Sequence, residues 1–175
     1  MKIQKLCLCA LLCAFICVLA PLSLPIGAIP LSLATFAVYI VSSIAKISIS
    51  LPALIGYILL GAFGIPVFSG FTGGFQQLAG VTGGYIIGYI PCLIIVSLII
   101  QKHENKKYIY PLSMVLGTLV CYIFGTAWYI IQTNSSLSFA LLLCVVPFIT
   151  GDIIKIAAAS AVGFTLRKRL SRIIK

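Results

Sequence analysis

Two charged side chains lie inside an otherwise apolar stretch near the end of the chain. Asp152 and Lys155 occur in the sequence Pro-Phe-Ile-Thr-Gly-Asp-Ile-Ile-Lys, residues 147–155. A spacing of three residues places both side chains on the same face of a helix. A carboxylate accepts hydrogen bonds from N–H groups, and an ammonium donates to carbonyl or carboxylate oxygens. The pair could form the polar end of a binding pocket, act as an acid and a base, or be an ion pair that joins neighbouring helices.

The surroundings of this pair suit lipid rather than water. Of the 175 residues, 62% are hydrophobic and only 8% are charged. Those charges are too few to cover the surface of a soluble domain. A charged side chain within a membrane span is costly and normally faces the protein interior, where it has a function. The composition therefore predicts an integral membrane protein in which Asp152 and Lys155 point inward.

Long uncharged blocks set the number of helices. No charged residue lies between Lys5 and Lys46, between Lys46 and Lys102, or between Lys107 and Asp152. A crossing helix needs roughly 20 apolar residues, so we predict an all-α bundle of six transmembrane helices that forms a single domain over residues 1–175. The predicted helices cover about 6–19, 31–45, 51–63, 85–100, 110–131 and 147 to the basic tail, with a short surface helix near 137–146.

The basic residues fall on one side of such a bundle. They precede helix 1, occupy the turn before helix 3 and the loop before helix 5, and follow helix 6, with Lys155 as the exception. The positive-inside rule makes this side cytoplasmic. We therefore expect both termini in the cytoplasm and a multi-pass protein of the cytoplasmic membrane. Topology and anionic lipid account for the net charge of +10, so no nucleic-acid partner is expected.

Helix 1 follows Lys2 and Lys5, as the apolar part of a signal peptide would. The sequence after it is again apolar and has no convincing cleavage site. We expect this helix to be a retained span, followed by an extended outer loop with Pro21, Pro25 and Pro30.

A glycine-rich segment connects helices 3 and 4. Seven of the 21 residues from 64 to 84 are glycine, yet the segment is uncharged and contains several phenylalanines. Glycine permits irregular backbone, which a membrane tolerates only where it is buried in protein or lines a cavity. We therefore predict that this outer loop forms the wall or lid of a binding site.

Other kinds of active site are poorly supported. His103 is the only histidine and lies in a basic loop, which excludes a Ser-His-Asp site within the membrane. One intramembrane aspartate excludes a two-aspartate protease, and no Walker-type phosphate loop occurs. The seven cysteines lie in apolar segments without histidine or acidic ligands nearby, so no metal site is expected. Glu104 is expected to be a solvated partner of Lys102 or Lys106.

Ala10 and Ala14 form a flat stripe on helix 1. Small residues four apart let two membrane helices approach closely. The stripe could pack inside the bundle or bind another membrane protein, and the residues alone leave both alternatives open.

Several separate motifs follow one another in a recognisable order. They are Gly-Ile-Pro-Val-Phe-Ser-Gly-Phe (64–71), Gly-Val-Thr-Gly-Gly-Tyr (80–85) and the segment 147–155, with Gly-Thr-x-Trp (125–128) and Ile-Pro-Leu-Ser-Leu (29–33) in support. Together they resemble the BioY family, the biotin-specific substrate-binding (S) components of energy-coupling factor (ECF) transporters. The resemblance covers nearly the whole chain. It departs at Val81 and Ala34, where the family usually has proline and glutamine.

The resemblance implies capture and uptake of biotin, and not an enzymatic activity of this chain. Biotin is then the transported ligand, and no cofactor is expected. The implied partners are a transmembrane coupling (T) subunit, which would dock on Ala10 and Ala14, and two cytoplasmic ATPases. Asp152 and Lys155 match the acidic and basic pair with which the family recognises biotin.

For the ligand itself, we expect Asp152 to accept a hydrogen bond from a ureido N–H. Lys155 would donate to the ureido oxygen or to the carboxylate. Tyr85, Phe68 and Trp128 would pack against the rings. Glycine permits close approach, so the other end of biotin would meet backbone N–H groups near Gly73, Gly74, Gly83 and Gly84.

The sequence leaves three alternative functions open. The chain could be an S component for another small vitamin, an intramembrane enzyme that uses Asp152 and Lys155 as acid and base, or a purely structural membrane subunit. The glycine-rich loop argues against the last, because a structural subunit needs no irregular backbone at that depth.

Overall fold

The chain is helical over most of its length. The structure, a computed structural model, describes residues 3–24 and 30–170. Lys2, Pro25 and the end of the basic tail therefore lie outside the described residues. The helices are α1 (Ile3–Leu19), α2 (Ala34–Ile44), α3 (Ile47–Ala62), α4 (Phe75–Ala79), α5 (Gly83–Lys102), α6 (Ile109–Thr133), α7 (Leu137–Cys144) and α8 (Val146–Leu170).

A short antiparallel hairpin lies between α1 and α2. Strand β1 (Ser23–Leu24) pairs with β2 (Leu31–Ser32), and Ser23 is opposite Ser32. The backbone N–H of Leu33 donates to Leu22 O at 2.9 Å and extends the pairing. The sequence predicted only an extended loop here, because strands of two residues are too short to show an alternating pattern.

Among the described residues, three helical segments are long and apolar enough to cross a membrane: α5, α6, and the region Leu137–Arg169, which contains α7 and nearly all of α8. Helices α1, α2 and α3 are apolar but have only 17, 11 and 16 residues. Length alone therefore supports a membrane protein with several apolar helices.

The shortest of these helices, α2, lies at the centre of the bundle. It packs against α1, α3, α5 and α8. The side chains of Ala37, Val38, Tyr39 and Val41 are fully buried. Contacts with neighbouring helices therefore shield α2 from lipid. An isolated helix of 11 residues is too short to cross the hydrocarbon region.

The glycine-rich segment is irregular but well connected. It contains the short helix α4 and an isolated bridge between Phe68 and Thr72. Gly74 has a φ of +99°, which favours glycine, and its N–H donates to Gly61 O of α3 at 2.7 Å. Gly70 N donates to Pro21 O at 3.0 Å. The segment is thus fixed to both α3 and the turn before the hairpin.

An ion pair fastens the opposite end of the bundle. Arg167 of α8 is buried, and its Nη2 and Nε lie 3.0 and 3.2 Å from Glu104 Oε2. Its Nη1 donates to Ser43 O at 2.9 Å. The prediction that Glu104 pairs with Lys102 or Lys106 was therefore wrong. The last turns of α8 pack beside α2 and the α5–α6 loop and bring a more distant arginine into reach.

We expect Arg167→Ala to destabilise the detergent-solubilised protein by roughly 1–3 kcal/mol, because the substitution leaves the Ser43 carbonyl without a charged donor. Glu104→Ala should have a smaller effect, since the Glu104 side chain is 52% exposed and water can replace it as a partner of the arginine. Thermal unfolding measures both. Arg169→Ala, an exposed position on the same helix, is the control, and equal losses at Arg167 and Arg169 would contradict this account.

Candidate binding site

A cavity of about 380 Å³ lies inside the bundle, beneath the glycine-rich segment. Its walls come from that segment, from the stretch before α2, and from α2, α3, α5, α6 and α8. Small-molecule sites in proteins typically occupy roughly 300–1,000 Å³, so the cavity is large enough for one small ligand.

The two charged residues of α8 line this cavity. Asp152 and Lys155 are only 4% and 8% exposed, and Lys155 Nζ lies 3.1 Å from Asp152 Oδ1. The helical spacing brings them together as predicted. Because their charges are opposite, this end of the cavity is polar but close to neutral overall.

Two neighbouring helices complete the hydrogen bonds of the pair. Tyr122 of α6 donates its hydroxyl to Asp152 Oδ2 at 2.5 Å. Lys155 Nζ donates to Thr35 Oγ1 of α2 at 3.2 Å. Both Asp152 oxygens therefore have a partner, and each keeps acceptor capacity for a ligand donor. An ammonium has three donor positions, of which Asp152 and Thr35 take two.

One aromatic wall is formed by Phe68 and Tyr57. Their ring centroids are 5.6 Å apart at an interplanar angle of 84°, an edge-to-face arrangement. A Cβ at Gly61 of α3 would overlap the Phe68 ring. The glycine therefore lets the loop aromatic lie directly on α3, where it lines the cavity.

A second aromatic wall is formed by Tyr85 and Phe148. Their centroids are 6.2 Å apart, and both residues line the cavity. The Tyr85 hydroxyl donates to Cys144 O at 2.6 Å, and its ring lies on Gly125 of α6, where a Cβ would overlap it. The hydroxyl is therefore engaged in the protein, and Tyr85 offers its ring to a ligand.

The side of the cavity formed by the glycine-rich segment carries neutral polar groups. Ser69, Thr72, Gln77 and Thr82 all line it. Among the described residues, Ser69 Oγ is a buried oxygen without a hydrogen-bond partner. Buried hydroxyls are normally paired, so this oxygen is available to a ligand.

Five of the predicted site residues lie outside the cavity lining: Gly73, Gly74, Gly83, Gly84 and Trp128. Cβ atoms at Gly73 and Gly83 would overlap the backbone of residues 64–65 and 78, and a Cβ at Gly84 would overlap Trp128. The indole N–H of Trp128 donates to Gly80 O at 2.9 Å. Gly73, Gly83, Gly84 and Trp128 thus pack within the walls of the cavity, whereas Gly74 has open space beside its Cα. The glycine of this segment that lines the cavity is Gly80.

The lining includes several neutral residues beyond those predicted from the sequence. Tyr122 and Thr35, which hydrogen-bond the charged pair, were not predicted, nor were Tyr57, Tyr89 and Thr118. Nothing in the local sequence distinguishes them from other polar residues in apolar helices. The hydrogen bonds of Tyr122 and Thr35 to α8 join residues 30 and 120 positions apart in the sequence. The two departures from the family motifs, Ala34 and Val81, also face the cavity.

The predicted docking alanines lie away from this site. Ala10 and Ala14 are exposed on the outside of α1. The other side of α1 packs against α3, where Cys13 faces Gly56. The stripe is therefore not used for packing within the described part of the bundle.

Comparisons with known proteins agree with one another. Residues 1–172 match the BioY family. Biotin transporter BioY2 of Lactococcus lactis subsp. cremoris is 35% identical, with 97% of this chain and 93% of the relative covered. Biotin transporter BioY of Thermotoga maritima is 34% identical, with 89% and 90% covered.

A solved structure has the same fold. It is the crystal structure at 2.1 Å of the S-component for biotin from an ECF-type ABC transporter. The TM-score is 0.88 at 25% identity, and the match covers 95% of this chain and 92% of that chain. The family match extends over nearly the whole sequence, and two relatives exceed 30% identity over most of their length. The chain described here belongs to the BioY family.

Proposed function

We propose that this chain captures biotin and takes part in its uptake as the S component of an ECF-type ABC transporter. The observation that carries the proposal is the buried Asp152–Lys155 pair at one end of a cavity of about 380 Å³. Its relatives are named as biotin transporters, and the matching structure is a biotin S-component. These names favour biotin over another vitamin, and a transport subunit over an intramembrane enzyme or a structural protein.

The polar end of the cavity suits the ureido ring of biotin. This ring has N–H donors beside a carbonyl acceptor, so Asp152 accepts from an N–H while Lys155 or Thr35 donates to the oxygen. A carboxylate in the same place would meet the negative charge of Asp152 a short distance from Lys155. The ureido ring therefore lies at α8, and the carboxylate tail points toward the glycine-rich segment with its free Ser69 hydroxyl.

The apolar middle of biotin then lies between the two aromatic walls. Phe68 with Tyr57 and Tyr85 with Phe148 provide flat, rigid surfaces that bury a thiophane ring well. The predicted direct contact with Trp128 is replaced in this proposal by Tyr57 and Phe148, which face the cavity.

We expect Asp152→Asn to weaken biotin binding by at least about 100-fold, because it removes a charged acceptor and leaves Lys155 buried without its counter-ion. Equilibrium binding to the detergent-purified protein measures the change. Glu104→Gln is the matched control, since it makes the same change at the other acidic residue of the chain, far from the cavity lining. Unchanged affinity in a folded Asp152→Asn protein would remove this residue from the site, and absence of binding by folded wild type would reject biotin.

Tyr122→Phe should weaken biotin binding by about tenfold, the effect of one hydrogen bond to a charged group. The substitution keeps the ring and frees Asp152 Oδ2 to rotate away from the ligand. Tyr110→Phe is the control: its ring is also buried and its hydroxyl donates to Glu104 O at 3.2 Å, but neither residue lines the cavity. If both variants lose affinity equally, the effect of Tyr122 is general packing and not the positioning of Asp152.

The topology follows from the same proposal. Helices α1, α2, α3, α5, α6 and α8 cross the cell membrane, which gives six spans with both termini in the cytoplasm. The contacts of Arg167 with Glu104 and Ser43 support this arrangement, because they bring the end of α8, the α5–α6 loop and the end of α2 together at one end of the bundle. The cavity and the glycine-rich segment then face the outside, where biotin enters.

Transport requires energy from partner proteins, since the chain carries no Walker-type motif. A transmembrane T subunit and two cytoplasmic ATPases would supply it. Ala10 and Ala14 are small and exposed on α1, and such a stripe lets a partner helix approach closely. We therefore place the T subunit on this face.

The double variant Ala10→Trp and Ala14→Trp should abolish both co-purification with the T subunit and biotin uptake, because the bulky rings block close helix packing. Equilibrium binding of biotin should stay within about twofold of wild type, because this face is remote from the cavity. Ala157→Trp and Ala158→Trp, at exposed alanines of α8, control for bulk in the lipid. Normal uptake by the α1 variant would place the partner elsewhere.

A further inference from the structure

Trp128 and Gln132 lie one helical turn apart near the end of α6, beside the last residues of α4. Trp128 Nε1 donates to Gly80 O at 2.9 Å. Gln132 Nε2 donates to Ala79 O at 2.8 Å. Two side chains of one helix therefore bind two consecutive carbonyl groups of the glycine-rich segment.

The segment that they bind forms part of the cavity wall. Gly80, Val81 and Thr82 line the cavity, although Trp128 and Gln132 do not. The carbonyl groups at the end of a short helix lack partners within that helix. The α6 side chains donate to the carbonyl oxygens of Ala79 and Gly80, of which Gly80 O also accepts from Gly83 N at 3.0 Å. These bonds fix where the following wall residues lie.

The fit of Trp128 depends on a glycine of α5. A Cβ at Gly84 would overlap Cβ and Cγ of Trp128 and the carbonyl oxygen of Phe124. The indole can therefore lie against α5 and reach Gly80 only because residue 84 has no side chain. This accounts for two sequence-predicted site residues, Gly84 and Trp128, that the structure places outside the lining.

The same helix also contacts the polar end of the cavity. Tyr122, which donates to Asp152, precedes Trp128 on α6. α6 is thus bonded to the charged pair on one side of the ligand space and to the wall segment on the other. For a ligand between the charged pair and the wall segment, the position of that wall relative to Asp152 is therefore set by α6 alone.

We propose that Trp128 and Gln132 are positioning residues, which hold the wall segment 79–82 against the bound ligand and so slow its release. The proposal rests on the function proposed above and adds residues that act through the loop without touching biotin. Trp128 has the larger role, because its bond is partly buried, whereas that of Gln132 is exposed and competes with water.

The test uses Trp128→Phe, which keeps an aromatic ring against Gly84 and removes the N–H donor, combined with Gln132→Leu, which keeps the bulk and removes the amide. We expect the double variant to release biotin about tenfold faster, with an association rate within about twofold of wild type, as loss of two hydrogen bonds predicts. Gly84→Ala should displace the indole and reproduce the faster release.

Hydrogen–deuterium exchange of the ligand-free protein tests the contact without relying on biotin. Amides of the segment 79–84 should exchange at least about fivefold faster in the double variant, while those of α2 remain unchanged. Thr133→Val is the control, because the Thr133 hydroxyl at the same helix end bonds Tyr129 O and Ser135 Oγ and not the segment 79–84. If wild type binds no biotin, the exchange result still reports on the contact, so the two proposals fail separately.

Two outcomes would overturn the inference. One is a double variant with wild-type release and wild-type exchange in the segment 79–84. The other is a fall in thermal stability with uniform exchange increases throughout the bundle, which would make the two side chains part of general packing.

Discussion

The need to keep two opposite charges of α8 away from lipid governs the centre of this protein. A buried charge is tolerated only when it is paired and its remaining hydrogen-bonding capacity is largely satisfied. Asp152 and Lys155 meet this requirement through each other, through Tyr122 of α6 and through Thr35 of α2. Three helices are thus bonded at one point, and that point is also the polar end of the cavity.

One face of α6 connects the parts of the site. Thr118 bonds Tyr39 of α2, Tyr122 bonds Asp152 of α8, and Gly125 receives the ring of Tyr85 from α5. These positions are three or four residues apart and therefore lie along one side of a helix. The bundle is held by specific polar and close-packed contacts to this face, which matters because lipid provides no hydrophobic driving force between helices.

Glycine has two separate roles here. In the loop, Gly64, Gly70 and Gly74 have positive φ values, which form its turns. Within the helices, Gly84 and Gly125 leave room for aromatic side chains of the neighbouring helix, because a Cβ at either would overlap them. A glycine-rich sequence near a site thus includes residues that position its walls as well as residues that line it.

The sequence by itself determined the features that depend on local composition and spacing. Uncharged blocks predicted apolar helices, and spacing of three residues placed Asp152 beside Lys155. The aromatics Phe68 and Tyr85, predicted as site residues from the family motifs, both line the cavity. Helix boundaries followed closely for α5 and α6, since long apolar segments have few alternatives in lipid.

Only the tertiary structure decided which distant residues meet. The partner of Glu104 is Arg167, 63 residues away, and not a neighbouring lysine. Tyr122 and Thr35 reach the charged pair, whereas Trp128 turns to the loop carbonyl of Gly80. These outcomes depend on how each helix is rotated about its axis and packed against the others. That rotation is set by side-chain volumes across several helices, and no local pattern in the sequence records it.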